Sequence, residues 1–342
     1  MEKVGFGLIG CGFIGQLHAD VIASLPNARL VACCDTTSAT GHSVADRYAC
    51  RFYSDIQCML MDDDVDVVTI CLPSGLHCDA AILAARAGKH ILCEKPIDID
   101  MDRAQAMVDT ARNSGVKFGV IMQHRFDPAM LLLRRSLNDG TLGRVLWGAS
   151  RTLWYRNDQY FANPWRGTWS VDGGGALINQ SVHYIDLLLS VLGDVQSVSA
   201  KCRTLLHHQI ETEDVGVANL EFVNGCIGTI EGTTAAYPGH YAELAVFCEN
   251  GTMIIRNDEL LSYQLKSGKN DDFEALLNPE KANAMNDSPD ISSDSHRRQY
   301  EDFVQAVIDD RKPLVTGEDA LKSLRVIKSI YRASREKREI YL

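Results

Sequence analysis

The sequence lacks two features that would point to a membrane or to nucleic acid. A membrane-spanning helix needs about 20 consecutive apolar residues, and no apolar run approaches that length. An excess of positive charge is also missing, because the formal net charge of the 342 residues is −11 at pH 7. A net negative charge disfavours non-specific binding to nucleic acid or to an anionic membrane surface. We therefore expect neither as a partner.

The sequence has eleven cysteines, but they are not spaced along the chain as the cysteines of a metal site are. Several, such as Cys33, Cys34, Cys71 and Cys93, lie inside apolar, strand-like runs. Such cysteines are typical of small, reduced core residues in a cytosolic protein rather than of a disulfide framework. No secretory signal precedes the first apolar stretch, which itself fits a core strand, and we expect a cytoplasmic protein. There is no internal repeat.

The first half of the chain alternates strand and helix patterns. An apolar run leads into "GLIGCGFIGQLHAD" (7–20), where Gly10, Gly12 and Gly15 precede a helical pattern, and a second strand ends at Asp35. A G-x-G-x-x-G motif between a strand and a helix, with an acidic residue about 20 positions on, is typical of dinucleotide binding. The helix N-terminus would hold the pyrophosphate. Asp35 would bind the ribose hydroxyls, which predicts NAD rather than NADP. The alternative is a purely structural glycine turn.

The same alternation continues to about residue 122. The residues Phe13, Leu17, Val21 and Leu25 share one face of the first helix, and strands are predicted near 65–72, 90–96 and 117–123. Helices are predicted to end at Gly88 and Gly115. Strands that alternate with helices predict a doubly wound parallel sheet. We assign 1–122 to a Rossmann domain.

Beyond residue 140 the pattern changes, because a predicted helix in "PAMLLLRRSLNDG" leads into successive strands. Successive strands predict a mostly antiparallel sheet in a second α/β domain, 123–342. The strands are predicted near 144–155, 195–205, 214–223, 226–234, 241–249 and 252–256. Helices are predicted at about 176–192, 296–310 and 317–336, and the last helices could pack back on the first domain. The polar segment 267–295 is predicted to be a loop or a lid.

Three further segments contain side chains suited to chemistry. Lys95 in "CEKP" follows a sheet strand, where ligands of such sheets bind; the alternative is a surface lysine. Asn179 and His183, in "DGGGALINQSVHYIDLL", would share a helix face after three glycines that allow a ligand to approach; the alternative is a core histidine. The segment 154–169 is dense in aromatic residues and arginine, which suits a sugar, a base or a phosphate; the alternative is a packed loop.

Together the segments "GLIGCGFIG", "LPSGLH", "CEKP", "GGGALINQSVHYIDLL" and "GEDALKSLRVIKSIYRAS" resemble the glucose–fructose oxidoreductase and inositol dehydrogenase (Gfo/Idh/MocA) family. The resemblance implies a Rossmann domain joined to an α/β domain with a large open sheet, and a homodimer or homotetramer. It also implies catalytic roles for Lys95 and His183. Many inositol dehydrogenase-like members have Asp four residues before that histidine, where this chain has Asn179.

Within that family, "QYFANPWRGTWSVDGGGALINQSVHYIDLL" looks most like UDP-N-acetylglucosaminuronate 3-dehydrogenases, in which Asn precedes the histidine. The expected substrate is therefore a sugar or nucleotide sugar. The expected cofactor contacts are Gly10, Gly12, Phe13, Ile14, Gly15, Asp35, Leu72, Pro73, Ser74, His77, Glu94, Lys95, Gln123, Trp165 and Arg166. The expected substrate contacts are Lys95, Arg125, Tyr155, Arg156, Arg166, Asn179 and His183.

The expected reaction is NAD-dependent oxidation of a ring hydroxyl. His183 would act as the general base, Lys95 would stabilise the developing alkoxide, and Asn179 would orient the substrate or the histidine. Tyr155, Tyr160, Trp165 and Trp169 could add stacking surface. No metal is expected. The alternatives are an inositol or free-sugar dehydrogenase, an NAD-dependent glycosidase, and a non-catalytic sugar sensor.

Overall fold

The computed structural model describes residues 3–268, 279–282 and 293–342. Two compact units divide the chain: Met1–Gln123 with Ile291–Leu321, and His124–Asp290 with Lys322–Leu342. The boundary after Gln123 differs by one residue from the boundary drawn from the sequence. The segment Ile291–Leu321, which the sequence assigned to the second domain, belongs to the first unit.

The first unit contains a six-stranded parallel sheet in the order β3-β2-β1-β4-β5-β6. The strands are β1 (Val4–Ile9), β2 (Ala28–Cys34), β3 (Arg51–Tyr53), β4 (Val67–Ile70), β5 (His90–Cys93) and β6 (Phe118–Val120). Strands β1 and β4 are buried along their whole length, as expected when helices cover both faces of a parallel sheet. The strand order reverses between β1 and β4, and ligands of such sheets bind at the carboxyl ends beside that reversal. The predicted doubly wound sheet is confirmed.

The helices of the first unit are α1 (Phe13–Ser24), α2 (Ser38–Tyr48), α3 (Ile56–Leu60), α4 (His77–Arg86), α5 (Met101–Asn113) and α9 (Ser293–Ile308). The predicted helix ends at Gly88 and Gly115 are confirmed, because both glycines adopt positive φ just after α4 and α5, at +73° and +70°. This left-handed conformation is typical of the residue that ends a helix. Helix α9 packs against α1.

The second unit contains an eight-stranded sheet in the order β13-β12-β11-β7-β10-β9-β8-β14. The strands are β7 (Val145–Leu153), β8 (Val195–Arg203), β9 (Val215–Phe222), β10 (Ile227–Thr233), β11 (Ala242–Cys248), β12 (Gly251–Arg256), β13 (Glu259–Leu265) and β14 (Ile340–Tyr341). Neighbouring strands are antiparallel except β7 and β10, which are parallel. The predicted mostly antiparallel sheet is confirmed, although β13 and β14 were not foreseen.

The helices of the second unit are α6 (Pro128–Asn138), α7 (Val182–Leu192), α8 (Pro279–Ala282) and most of α10 (Gly317–Glu336). Helix α7 packs on β7 and β11. The predicted loop 267–295 falls largely outside the described residues. Its described parts include α8 and the start of α9, which begins at Ser293.

None of the helices in the described ranges is both long and apolar enough to span a bilayer.

Candidate active site

The glycine-rich loop joins β1 to α1. Gly10 has φ +93°, and a Cβ there would lie 2.6 Å from the carbonyl oxygen of Cys71. A Cβ on Gly15 would lie 2.0 Å from the carbonyl oxygen of Gly10, whereas one on Gly12 would meet nothing within 4 Å. The first and third glycines therefore make a tight turn and close helix–strand packing. The second leaves open space at the N-terminus of α1, as a bound pyrophosphate requires.

Asp35 lies at the carboxyl end of β2, next to this loop. Its Oδ2 accepts the N–H of Cys11 at 2.8 Å, and its Oδ1 accepts the N–H of Thr37 at 2.7 Å. A carboxylate has about four acceptor positions, so both oxygens retain capacity for ribose hydroxyls. The residues present thus fit a dinucleotide with an unphosphorylated ribose.

The first helix buries a different face from the one inferred from the sequence. Phe13 begins α1 and is 82 % exposed, Ile14 and Leu17 are half-buried, and His18 is completely buried. The expectation that Phe13 and Leu17 belong to the apolar face is therefore only partly right.

Gln123, another expected cofactor contact, is buried at the end of the first unit.

Two segments meet where β4 and β5 end. Leu72, Pro73 and Ser74 follow β4, and Ser74 begins a short 3-10 turn that leads into α4. His77 is completely buried, and its ring nitrogens lie 2.8 Å from the carbonyl oxygen of Leu72 and 2.9 Å from that of Pro96. This side chain ties the two segments together, and its expected cofactor contact stays a prediction.

Glu94 anchors the turn that carries Lys95. Its Oε1 lies 2.8 Å from His18 Nε2, and its Oε2 accepts the N–H of Lys95 at 2.9 Å. Burial favours the neutral carboxyl, but the hydrogen bond from His18 and the charges of His18 and Lys95 outweigh it and lower the pKa of Glu94 to about 2. Both oxygens of this buried carboxylate have internal partners, and the expected cofactor contact of Glu94 stays a prediction. Lys95 itself is half-buried.

In the second unit, Asn179 and His183 lie on two consecutive elements instead of one α-helix. Ala176–Gln180 forms a π-helical turn, and α7 begins at Val182. The N–H of Ser181 closes the turn by donating to the carbonyl oxygen of Ala176 at 2.9 Å. Asn179 lies on the π-helical turn, where its Nδ2 donates to the carbonyl oxygen of Gly174 at 3.0 Å. His183 lies in the first turn of α7 and is half-buried.

The glycines before this turn make room for the protein's own groups. A Cβ on Gly175 would lie 1.8 Å from the carbonyl oxygen of Glu213, and one on Gly174 would lie 2.3 Å from the hydroxyl of Tyr331. The Glu213 carboxylate accepts the N–H groups of Gly175 and Leu177 and the Tyr331 hydroxyl, at 2.8–2.9 Å. Burial raises the pKa of Glu213 to about 7 in spite of these hydrogen bonds. The expectation that these glycines admit a ligand is therefore corrected.

A polar group around His183 was not foreseen. The ring of His124 lies perpendicular to that of His183, with centroids 5.0 Å apart. His124 Nδ1 lies 2.9 Å from Asp127 Oδ2 and 3.0 Å from Asp258 Oδ1, and the Tyr184 hydroxyl donates to the same oxygen of Asp258. Burial disfavours protonation of His124, but the two carboxylates outweigh it and raise its pKa to about 10. Asp258 lies far along the chain in the β12–β13 turn, so no sequence spacing could indicate this group.

Two arginines meet at Tyr160. Arg166 Nη1 donates to the Tyr160 hydroxyl at 2.6 Å, and its guanidinium stacks over the rings of Tyr160 and Trp165 at 4.3 and 4.6 Å. Arg156 is buried and donates to Gln180 Oε1 at 2.8 Å, while Gln180 Nε2 donates to the Tyr160 hydroxyl at 2.7 Å. Burial lowers the pKa of Arg156. Within the described parts of the chain, neither arginine forms an ion pair with a carboxylate.

Arg125 differs from these two arginines because its charge is neutralised inside the fold. Its Nε and Nη2 donate to Asp186 Oδ2 and Oδ1 at 2.6 and 2.7 Å, and Ser323 Oγ donates to Asp186 Oδ1 at 3.0 Å. Arg125 is 6 % exposed and Asp186 is completely buried. This bidentate pair holds α7 in the unit and favours a structural role for Arg125; the expectation that Arg125 binds substrate stays a prediction.

Two of the four candidate stacking residues pack on the protein itself. The ring of Tyr155 lies edge-on to that of Tyr237 at 5.2 Å. Trp169 donates its Nε1–H to the carbonyl oxygen of Glu211 at 3.1 Å. The other two candidates lie at the arginine pair.

Two side-chain clusters have ligand atoms within 4.8 Å of one another, as a metal ion would require: His18, Glu94 and His296 in the first unit, and His124, Asp127 and Asp258 in the second. In the first cluster, both ring nitrogens of His18 face hydrogen-bond partners. In the second, His124 Nδ1 already lies against the carboxylates of Asp127 and Asp258, whose charges raise its pKa. The expectation of a metal-independent reaction stays a prediction.

Comparison with known proteins agrees with both units. Residues 4–122 match the oxidoreductase family model with an NAD-binding Rossmann fold, and residues 130–254 match the Gfo/Idh/MocA C-terminal domain. The predictions of a Rossmann domain and of NAD as cofactor are confirmed.

Solved structures and curated relatives extend the similarity over the whole chain. The WlbA dehydrogenase of Bordetella pertussis, solved with NADH and UDP-GlcNAcA, is 31% identical over 100% of this chain and 98% of its own, with a TM-score of 0.90. Inositol 2-dehydrogenase of Rhizobium meliloti is 28% identical over 98% of both chains. Levoglucosan dehydrogenase of Pseudarthrobacter phenanthrenivorans is 28% identical over 76% of both chains. With both domain types in place and this similarity along its full length, the chain belongs to the Gfo/Idh/MocA family of NAD-dependent sugar and polyol dehydrogenases.

Proposed function

We propose that the protein oxidises C3 of a nucleotide-sugar acid of the UDP-N-acetylglucosaminuronate class. The observation that carries the proposal is the arginine pair Arg156 and Arg166, which has no carboxylate partner in the described residues. A UDP-sugar acid carries a pyrophosphate and a carboxylate, which arginine binds in bidentate fashion. A polyol carries neither. The similarity to a dehydrogenase solved with UDP-GlcNAcA supports the same substrate class.

The surroundings of the arginine pair support this placement of the ligand. Tyr160 and Gln180, which bond to the arginines, line a cavity together with Asn179. We propose that a ligand held by the arginines lies beside the π-helical turn that carries Asn179. Asn179 is a neutral amide, so it adds no negative charge beside an anionic substrate.

In the proposed mechanism each side chain has one role. NAD, which the glycine-rich loop and Asp35 would hold, would supply the hydride acceptor. His183 accepts the proton of the sugar hydroxyl as general base. Lys95 donates a hydrogen bond that stabilises the developing alkoxide charge. Asn179 orients the sugar.

The substrate class is tested by NADH formation with a panel of compounds. UDP-N-acetylglucosaminuronate, UDP-N-acetylglucosamine without the carboxylate, free sugars and myo-inositol are supplied separately with NAD. We expect turnover of the first, a higher KM for the second, and little activity with the rest. Released sugar without net NADH would instead indicate a glycosidase, and binding without either product would indicate a sensor.

The arginine role is tested with Arg166→Ala. Loss of the charge should raise KM for the sugar acid by about tenfold or more. Arg144→Ala is the matched control, because Arg144 is exposed and pairs with Glu249. A weaker affinity for NADH with an unchanged KM for the sugar would assign Arg166 to the cofactor.

The catalytic roles are tested with two further variants. Lys95→Met should keep NADH affinity while kcat falls by about 10². His183→Ala should remove the acid limb of the pH–rate profile. Near-normal turnover in either variant would contradict its assigned role.

Oxidation of an inositol is the second candidate function, because the inositol 2-dehydrogenase of Rhizobium meliloti is similar along nearly the whole chain. Oxidation of myo-inositol without activity toward any UDP-sugar would establish it in place of the first.

A further inference from the structure

A chain of four buried polar side chains crosses the core of the first unit. Thr69 Oγ1 lies 3.0 Å from the Tyr300 hydroxyl oxygen, which lies 2.8 Å from His18 Nδ1, and His18 Nε2 lies 2.8 Å from Glu94 Oε1. The first three side chains have no exposed surface, and Glu94 is 6 % exposed. Apolar side chains such as Phe6, 5.6 Å from the Tyr300 ring, surround the chain. Burying polar groups in an apolar core is costly unless each has a partner.

This polar chain ends at Lys95. The second oxygen of Glu94 accepts the backbone N–H of Lys95 at 2.9 Å, while the N–H of Glu94 donates to the carbonyl oxygen of Ile70 at 2.9 Å. The Glu94 backbone therefore still belongs to the sheet, and its side chain holds the first residue that leaves it. The orientation of the Glu94 carboxylate sets where the Lys95 backbone lies.

The tether depends on His18 and Tyr300. Glu94 is ionised and can only accept hydrogen bonds, so His18 Nε2 carries the proton that binds it. The ring of His18 is in turn held at Nδ1 by the Tyr300 hydroxyl. Without that hydroxyl, the His18 ring has one hydrogen bond fewer to define its orientation. Glu94 keeps its bond to His18, but that bond then comes from a less firmly oriented ring.

The network also joins the elements on which the cofactor loop is built. His18 lies on α1, whose N-terminus follows the glycine-rich loop, and Tyr300 lies on α9, which packs against α1. Thr69 belongs to β4, and Glu94 follows β5. A shift of α1 is therefore passed directly to the Lys95 turn.

We propose that His18 and Tyr300 are positioning residues that act through Glu94 to fix the backbone from which the Lys95 side chain reaches the reacting oxygen. The proposal rests on the proposed function, in which Lys95 stabilises the alkoxide. Small misplacements of a catalytic group lower the rate sharply, because the hydrogen bond must form in the transition state.

The test is a double-mutant cycle between Tyr300→Phe and Lys95→Met. It is measured on the full-length protein, with the sugar that the substrate panel identifies as the substrate. Tyr300→Phe removes one hydroxyl and should lower kcat by roughly tenfold, with KM and NADH affinity changed by less than about threefold. In the Lys95→Met background the same change should lower kcat by less than about twofold, because the group that it positions is gone. His18→Gln should behave in the same way.

Tyr263→Phe is the matched control, since Tyr263 is also buried and its hydroxyl donates to Ser136 Oγ at 3.1 Å in the second unit. It should leave kcat unchanged. An unchanged kcat in Tyr300→Phe, or an equal loss in both backgrounds, would overturn the positioning role and leave the proposed function intact. Normal turnover in Lys95→Met alone would overturn the role that the proposed mechanism assigns to Lys95, and the positioning role with it, whereas absence of NADH formation with every UDP-sugar of the panel would overturn the proposed function.

Discussion

Arg125→Met should destabilise the second unit without a selective loss of substrate affinity. Arg125 donates two short hydrogen bonds to Asp186, at 2.6 and 2.7 Å, and Asp186 is completely buried. Methionine has a similar apolar stem but no donor. In the variant, Asp186 would keep the Ser323 hydroxyl at 3.0 Å and lose the cation that balances its charge.

The expected loss follows from the burial of that carboxylate. Removing one partner of a buried ion pair costs about 3–5 kcal/mol, because the other charge is left uncompensated. In a domain of about 150–250 residues each kcal/mol lowers the unfolding midpoint by about 2–4 °C, so the midpoint should fall by roughly 6–20 °C. A second change, Asp186→Asn, removes the orphaned charge and should recover part of the loss.

Thermal unfolding and steady-state kinetics together show whether Arg125 stabilises the fold or binds substrate. Unfolding is followed by circular dichroism, and the kinetics are measured below the unfolding transition. Arg144→Met is the control, because its partner Glu249 is half exposed and such a surface pair contributes about 0–1 kcal/mol. An unchanged midpoint with a KM raised tenfold or more would refute the scaffold role and return Arg125 to the substrate site.

Three more outcomes are expected. Asp35→Ser should weaken the preference for NAD over NADP, measured by calorimetry, and a wild-type protein that binds NADP as tightly as NAD would contradict the role of Asp35. Because burial raises the pKa of Glu213 from 4.5 to about 7, the folded protein keeps a proton that the unfolded chain releases in that window. The free energy of unfolding should therefore fall, by about 3 kcal/mol, as pH rises from about 4.5 to 7. Glu213→Gln should flatten this pH dependence, and an equal pH dependence in the variant would contradict the raised pKa of Glu213. Helix α7 covers one face of the second sheet, and the stacked rings of Trp147 and Phe247 lie on the other face. Ile227, which pairs with Trp147 on the neighbouring strand, is 55 % exposed. We expect a second copy to cover this face, so Ile227→Glu should convert an oligomer to a monomer in light scattering, and a monomeric wild type would contradict the expectation.

The cofactor half of the molecule could be predicted from the sequence because its signals are local. Gly10, Gly12, Gly15 and Asp35 act through backbone conformation and through their order along one strand–helix–strand unit. Strand and helix patterns in the first 122 residues depend on neighbours a few positions apart. Interactions between residues a few positions apart can be predicted from the order of the residues in the sequence.

The roles of individual charged residues could not be predicted in the same way. The sequence does not distinguish Arg125, Arg156 and Arg166 from one another. Among the residues that the structure describes, only Arg125 pairs with a buried carboxylate, that of Asp186 on α7. Whether a guanidinium is neutralised depends on a partner brought close by the fold. The pattern of the sequence contains no information on that distance.

The glycines before the π-helical turn show the same limit. The sequence correctly indicates that something approaches the backbone there, because a glycine run permits it. Only the tertiary structure shows that the approaching groups are Glu213 and Tyr331, at 1.8 and 2.3 Å from the added Cβ positions. The signal for close approach is local, whereas the identity of the approaching group is not.

The sequence by itself therefore determined the two-part architecture, the NAD fold and the family, since these depend on short-range periodicity and on backbone requirements. The tertiary structure decided which charges are paired, which histidine lies between two carboxylates and which carboxylate is buried. Electrostatic energy depends on separation and burial in space. Residues such as His124 and Asp258 acquire their properties only when the folded chain brings them together.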